Sequence, residues 1–237
     1  MLKCARMKSC SILLLAILSS LALAQSEVEI TAEPHHHFVL ANEFVRVFNL
    51  EVAAHESTLI HRHRHDYIYV VLGPSHVSND VVGKPPIEIR FVDGDTRYLD
   101  ANFAHAARNL ADTSFRNVTI ELLQDEKAHK TPPPKWDEER GLSVLDGGTK
   151  EVLFVKDGVR VSEIELQPGG MIPRHHHAGP HLLVAVSDLE FRSDVEGQGP
   201  MPAHFKAGES KWLPGGYTHT LTNVGKQPAK FVTLEFH

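Results

Sequence analysis

Cysteine, basic charge, long apolar runs and helical periodicity are all scarce in this 237-residue sequence. Its two cysteines, Cys4 and Cys10, lie within the first ten residues, so no disulfide can close any loop downstream. Lys and Arg number 24 against 30 Asp and Glu, a formal net charge of −6 that provides no basic patch for nucleic acid. The longest apolar run, Ser11 to Leu23, falls short of the roughly 20 residues that span a bilayer. No apolar pattern of helical period lasts beyond a few turns, which argues against a helical fold.

That apolar run has a more specific reading. Lys3, Arg6 and Lys8 precede it, and Ala22-Leu23-Ala24 places small residues at the right spacing before Gln25. Residues 1–24 therefore read as a secretory signal peptide. Its removal takes both cysteines and leaves 21 basic against 30 acidic residues in 213. Such a chain is expected in a secreted or periplasmic location, off the membrane and folded by core burial alone. All 17 histidines fall in the mature part, a marked compositional bias.

The remainder is written twice. Residues 42–123 laid over 156–237, at a constant offset of 114 and without a gap, match identically at 19 positions. Val45-Arg46-Val47 falls on Val159-Arg160-Val161, and His61, His63 and His105 on His175, His177 and His219. Val118-Thr119-x-Glu121 falls on Val232-Thr233-x-Glu235. This divides the mature chain into an N-terminal domain over 25–124, a Pro- and Gly-rich linker over 125–150, and a C-terminal domain over 151–237. A short helix around Trp136–Arg140 is compatible with the linker sequence.

Within each copy, alternating stretches such as "FVRVFNLEV" and short apolar runs such as "HLLVAV" close on Gly and Pro turns. This is the pattern of an all-β sandwich or barrel. On a strand, His175 and His177 face the same side, while His176 faces the other. His181 follows an Ala-Gly-Pro bend that can return it to that side, and the turn at Pro214-Gly215-Gly216 presents His219. Four neutral imidazoles so placed suit a divalent transition metal.

These residues also carry a family resemblance. Gly169-x5-His175-x-His177-x3-His181-x6-Asp188 resembles the first cupin motif, with His181 where Glu is usual and Asp188 where Gly is usual. Gly208-x5-Pro214-x-Gly216-x2-His219-x3-Asn223 resembles the second at every fixed position. The likeness extends over nearly the whole mature chain, twice, so the sequence resembles a bicupin. It implies two tandem jelly-roll β-barrels, each able to hold a metal in its mouth. The His-for-Glu exchange is similar to the four-histidine small cupins, whose metals are manganese, iron or copper, with nickel and zinc as alternatives.

The first copy departs further. Gly94-x5-Asp100-x-Asn102-x2-His105-x3-Asn109 keeps the spacing of the second motif but replaces its Pro and second Gly. His61, His63 and His105 are its expected ligands, with Asp66 a candidate fourth because Tyr67 occupies the fourth position. His35-His36-His37 reads as an extended lead-in, solvated or packed outside the barrel. Asn117 heads an N-x-T triplet, read as coincidence because it lies within a strand. Met171, Leu183, Trp212 and Tyr217 read as a wall of the second barrel's mouth or as core.

Three functions fit. The first is a metal-dependent dioxygenase acting on a small substrate, the second an isomerase of a sugar or keto acid, and the third a protein that captures a metal or small ligand without turnover. The first test concerns processing: mass spectrometry of the exported protein is expected to give Gln25 as the first residue.

Overall fold

The computed structural model describes residues 26–124 and 141–236. The signal-peptide segment, the 125–140 part of the expected linker and the possible helix around Trp136–Arg140 lie outside the described residues. Among the described residues, no helix is long and apolar enough to cross a membrane.

The fold is all β. In the first half, β1 (Val28–Glu29), β4 (His61–Arg62), β6 (Ser75–Val81), β7 (Ile87–Phe91) and β9 (Ala104–Asn109) form one sheet in the order β1-β4-β9-β6-β7. The facing sheet joins β2 (His36–Ala41), β3 (Val45–Val52), β5 (Tyr67–Val71), β8 (Thr96–Leu99) and β10 (Phe115–Leu122) in the order β2-β3-β10-β5-β8. These are the two sheets of a jelly-roll barrel.

The second half repeats this plan with one difference. Its strands are β11 (Gly141–Lys156), β12 (Val159–His177), β13 (His181–Ala185), β14 (Leu189–Val195), β15 (Pro200–Phe205), β16 (Ser210–Leu213), β17 (Tyr217–Asn223) and β18 (Ala229–Glu235). β12 pairs with β18 through Arg160–Leu166 and with β17 through Met171–His177, so one long strand ties both faces into a single curled sheet. The equivalent path in the first half is interrupted between β3 and β4, where His55 takes a positive φ of 62°. Residues 141–150, expected within the linker, are strand: β11 runs antiparallel to β12 from Asp146↔Met171 to Lys156↔Val159. Gly147 and Gly148 lie at the bulge where the strands approach too closely for a side chain, since a Cβ on Gly148 would meet the Glu165 carbonyl at 2.2 Å.

The departures in the first copy preserve its turns. Gly216 has a φ of 82°, and its counterpart Asn102 has a φ of 70°, a left-handed conformation that Asn tolerates better than most residues. Asn109 and Asn223 explain the last motif position. Each side-chain amide donates to carbonyls across a turn, Asn109 to Thr113 at 2.7 Å and Asn223 to Gln227 at 2.9 Å. Asn117 is buried on β10, which excludes a glycan there.

Alternation along the strands places the core. On β10, Val118, Ile120 and Leu122 turn one way while Asn117, Thr119 and Glu121 turn the other; on β18 and just beyond it, Val232, Leu234 and Phe236 oppose Phe231, Thr233 and Glu235. The first set from each barrel joins a single apolar cluster with Val45, Val47, Ile68, Val70, Val161, Leu182 and Val184. The two barrels thus pack back to back and share one core. Phe44 closes its edge against Trp212 and Phe236, with ring centroids 5.2 and 5.6 Å away.

Ile120 is fully buried in that shared core. Ile120→Ala is expected to cost about 2–5 kcal/mol and to lower the urea midpoint of a single unfolding transition. Two separate transitions, only one of them shifted, would contradict a common core.

Candidate metal centres

In the second barrel, the β12–β17 register sets His175 directly opposite His219, with His177 two residues along the same strand face. The three Nε2 atoms form a triangle with sides of 3.0, 3.1 and 3.0 Å. Each ring is held from behind. His175 Nδ1 donates to the Pro173 carbonyl at 2.8 Å, and His219 Nδ1 meets Ser193 Oγ at 2.8 Å. His177 Nδ1 faces Glu235 Oε1 at 3.6 Å, an ion-pair distance rather than a formed hydrogen bond. A ring whose Nδ1 carries the proton presents a bare lone pair at Nε2. Lone pairs converging at this spacing repel unless a proton or a cation lies between them, and outer-side anchoring of this kind is usual for metal-ligating histidines. Together the three residues form a group that could hold an ion.

His181 stands apart from this group. It was expected as the fourth ligand, but the bend at 178–180 returns it as a ring stacked on His177, 4.0 Å between centroids at 14°. Its Nε2 lies 3.4 Å from the Tyr217 hydroxyl, and its Nδ1 is buried without a partner. His176 is exposed on the opposite strand face and meets Thr218 Oγ at 3.1 Å, as its position in the alternation requires.

The triad opens into a cavity of about 440 Å³. Leu183, Phe191, Leu221 and Phe231 give it apolar walls, and Tyr217 stands at its side. Lys211 is its one charged Lys, Arg, Asp or Glu among the lining residues. Trp212 instead packs against the shared core, and Met171 pairs with Thr222 away from this lining.

The first barrel holds a second histidine cluster around a cavity of about 310 Å³. His61 and His105 are direct partners in the β4–β9 register, with ring centroids 4.5 Å apart. His61 Nδ1 donates to the Leu59 carbonyl at 2.9 Å, His105 Nδ1 to Asn79 Oδ1 at 2.7 Å, and His63 Nδ1 faces Glu121 Oε1 at 3.4 Å. Asp66 does not take part. Its carboxylate accepts from the Ala101 amide at 2.5 Å and from the Tyr98 hydroxyl, which also reaches Asp157 of the second barrel. Asp66 therefore braces the junction between barrels. Tyr67 stacks on His63, 3.8 Å between centroids at 15°, as His181 stacks on His177.

His36 is the residue that sequence reasoning missed. Expected outside the barrel, it is buried on β2 and lies with His61 and His63 in a group whose ligand atoms are all within 4.8 Å of one another. No motif spacing marks it, because it reaches the site from the strand preceding the first matched stretch. The available signal was the exact alternation of His35-His36-His37, in which only the middle residue can face inward.

Burial favours the neutral form of His61, His63, His105, His175, His181 and His219. It pushes His61 and His219 down to about 4 and His181 to about 3, with neighbouring imidazoles adding to the effect. His63 and His105 fall well below the ordinary range for the same reasons. Burial alone would raise the Glu235 carboxyl, but the facing His177 and the charges of Lys150 and Arg160 outweigh it and bring it to about 2.

Comparison with known proteins fits this arrangement. Residues 162–235 match the cupin domain family. The protein has the cupin fold, twice. A Bacillus subtilis oxalate decarboxylase structure concerned with its Mn(II) centres aligns at 13% identity and a TM-score of 0.58, covering 86% of this chain and 76% of that one. A cupin 2 conserved barrel domain protein from Leptotrichia buccalis aligns at 14% identity and a TM-score of 0.53, covering 85% and 88%. No curated protein matches the chain by sequence.

The depressed imidazoles imply a pH dependence with a definite sign. A histidine near about 6.5 when unfolded but near 4 when folded takes up a proton on unfolding throughout that interval. Its contribution to stability is therefore complete above about pH 6.5 and lost as the pH falls towards 4. The melting temperature of chelator-treated protein is expected to be flat above neutrality and to decline across this window. A flat profile down to pH 4 would show that the rings are not buried as neutral groups.

Proposed function

We propose that the protein is a metal-dependent cupin oxidoreductase of dioxygenase type, acting on a small acidic substrate in its C-terminal barrel. The observation that carries this reading is the Nε2 triangle of His175, His177 and His219 opening into a largely apolar cavity. Three imidazole donors with outer-side anchors would suit a divalent transition metal such as manganese or iron. Mn(II) centres in the similarly folded oxalate decarboxylase support the same choice.

When bound, the ion supplies Lewis acidity and the redox chemistry that dioxygen requires. The chain's own residues do the rest. His175, His177 and His219 would hold the ion with neutral donors, leaving its charge to an anionic ligand. Lys211 offers that ligand a second cation, while Leu183, Phe191 and Phe231 keep water from the reacting groups. His181 and the Tyr217 hydroxyl, 3.4 Å apart beside the triad, can hold or pass a proton. No carboxylate lines the cavity among the described residues, which disfavours an isomerase that needs a carboxylate base. The signal-peptide pattern of residues 1–24 supports a secreted or periplasmic location.

Elemental analysis and an oxygen electrode test this directly. Protein loaded with Mn(II) or Fe(II) is expected to consume oxygen with a small dicarboxylate such as oxalate or a keto acid. His219→Ala is expected to abolish uptake and lose the C-terminal ion, while His176→Ala retains it. Stoichiometric zinc, with no oxygen consumption by any reloaded form, would overturn the oxidoreductase reading.

A further inference from the structure

We propose that His36 is a metal ligand, completing a four-imidazole site with His61, His63 and His105 in the N-terminal barrel. The ring is delivered by the β2–β3 pairing, in which His36 lies opposite Leu50. The alternation of β2 turns His36 inward, while His37 is exposed. His36 Nδ1 is bonded to Glu33 Oε2 at 2.7 Å, leaving Nε2 for the ion. Glu33 is itself fixed: it is buried, its other oxygen accepts from the Leu59 amide at 3.1 Å, and its second histidine contact is to His35 at 2.9 Å. A carboxylate so firmly held behind a ring is an orienting group of the kind found at metal-bound histidines.

His61 and His63 share with His36 the group whose ligand atoms lie within 4.8 Å of one another, and His105 adjoins it as the register partner of His61. His61 lies 4.8 Å from the His36 ring by centroids, and His63 6.1 Å. His105 Nε2 is buried with no partner, although burying such an atom unpaired is costly. Of the alternative fourth donors, Asp66 is spent on Tyr98 and Ala101, and Tyr67 is stacked flat on His63. Two carboxylates, Glu33 and Glu121, are buried behind the rings; Arg46 is bonded to Glu121 at 2.8 Å, and Arg97 lines the same cavity.

The second barrel shows what the position can become. Its equivalent residue is Lys150, opposite Ile164 in the same register, and the equivalent of Glu33 is Gly147. The first barrel therefore carries an extra donor and its orienting carboxylate where the second carries a cation. The site in the first barrel stands independently of the activity proposed for the second.

Full-length protein stripped of metal and reloaded with Co(II) provides the test, read by ions per chain, visible absorption and chelator competition. Wild type is expected to bind two ions. His36→Ala should weaken one of them by at least about 10-fold and change the Co(II) spectrum. Glu33→Gln, which keeps the ring but loosens its orientation, should weaken the same ion by about 10-fold, and His37→Ala should change neither. If His36→Ala fails to fold, Glu33→Gln decides the matter. Unchanged affinity and spectrum in the folded variants would overturn the assignment. So would a single wild-type ion lost with His175→Ala but not with His61→Ala. Oxygen uptake plays no part in these readouts, so failure here is distinct from failure of the C-terminal activity.

Discussion

Everything in this protein depends on two strands that are buried on both faces. β10 and β18 turn Val, Ile and Leu towards a core common to both barrels, and on their other faces turn Thr119 and Thr233 towards the two cavities and Glu121 and Glu235 behind the histidines. The two-residue period makes these roles inseparable, since a slip of one residue would put Glu121 or Glu235 into the apolar cluster and a valine against the histidines. The same registers order the residues behind the histidine clusters, because Glu121 pairs with Arg46 and Glu235 with Arg160 across neighbouring strands. Apolar packing between barrels and polar ordering within them are thus one constraint.

Each barrel accordingly contains a matching relay behind its histidines. Arg46 holds Glu121, which faces His63; Arg160 holds Glu235, which faces His177. The difference lies at the first strand, where one barrel has Glu33 and His36 and the other Gly147 and Lys150. Arg97 lines the first cavity where Lys211 lines the second, so the contrast is confined to positions 33/147 and 36/150.

The degree to which this was legible in the sequence follows from locality. The offset of 114 gave the duplication, because matched register survives in identities such as Val118-Thr119-x-Glu121 and its copy. His175 and His177 were readable because strand alternation is local, and His219 because its turn carries Pro and Gly at fixed spacing. His181 was misplaced by a bend: three residues separate it from His177, and only the backbone path decides whether the ring joins the triad or stacks on it. Asp66 failed for the opposite reason, since its partners Tyr98 and Asp157 are distant in sequence. His36 lay beyond the matched stretch, in a strand whose partner could not be named without the fold. Residues 141–150 looked like a linker because their glycines signal turns, whereas here they allow β11 to cross close to β12.

The shared core also restricts how the two copies can drift apart. A duplicated domain on a flexible tether can change any surface without consulting its twin. Here the outward face of each barrel's back sheet is the inward face of the pair, so a change at Val118 or Val232 must be answered by a residue of the other copy. Divergence is then channelled to positions such as 36 and 150, which lie off the shared core. The fusion that makes the halves inseparable is what leaves their interiors free to become different sites.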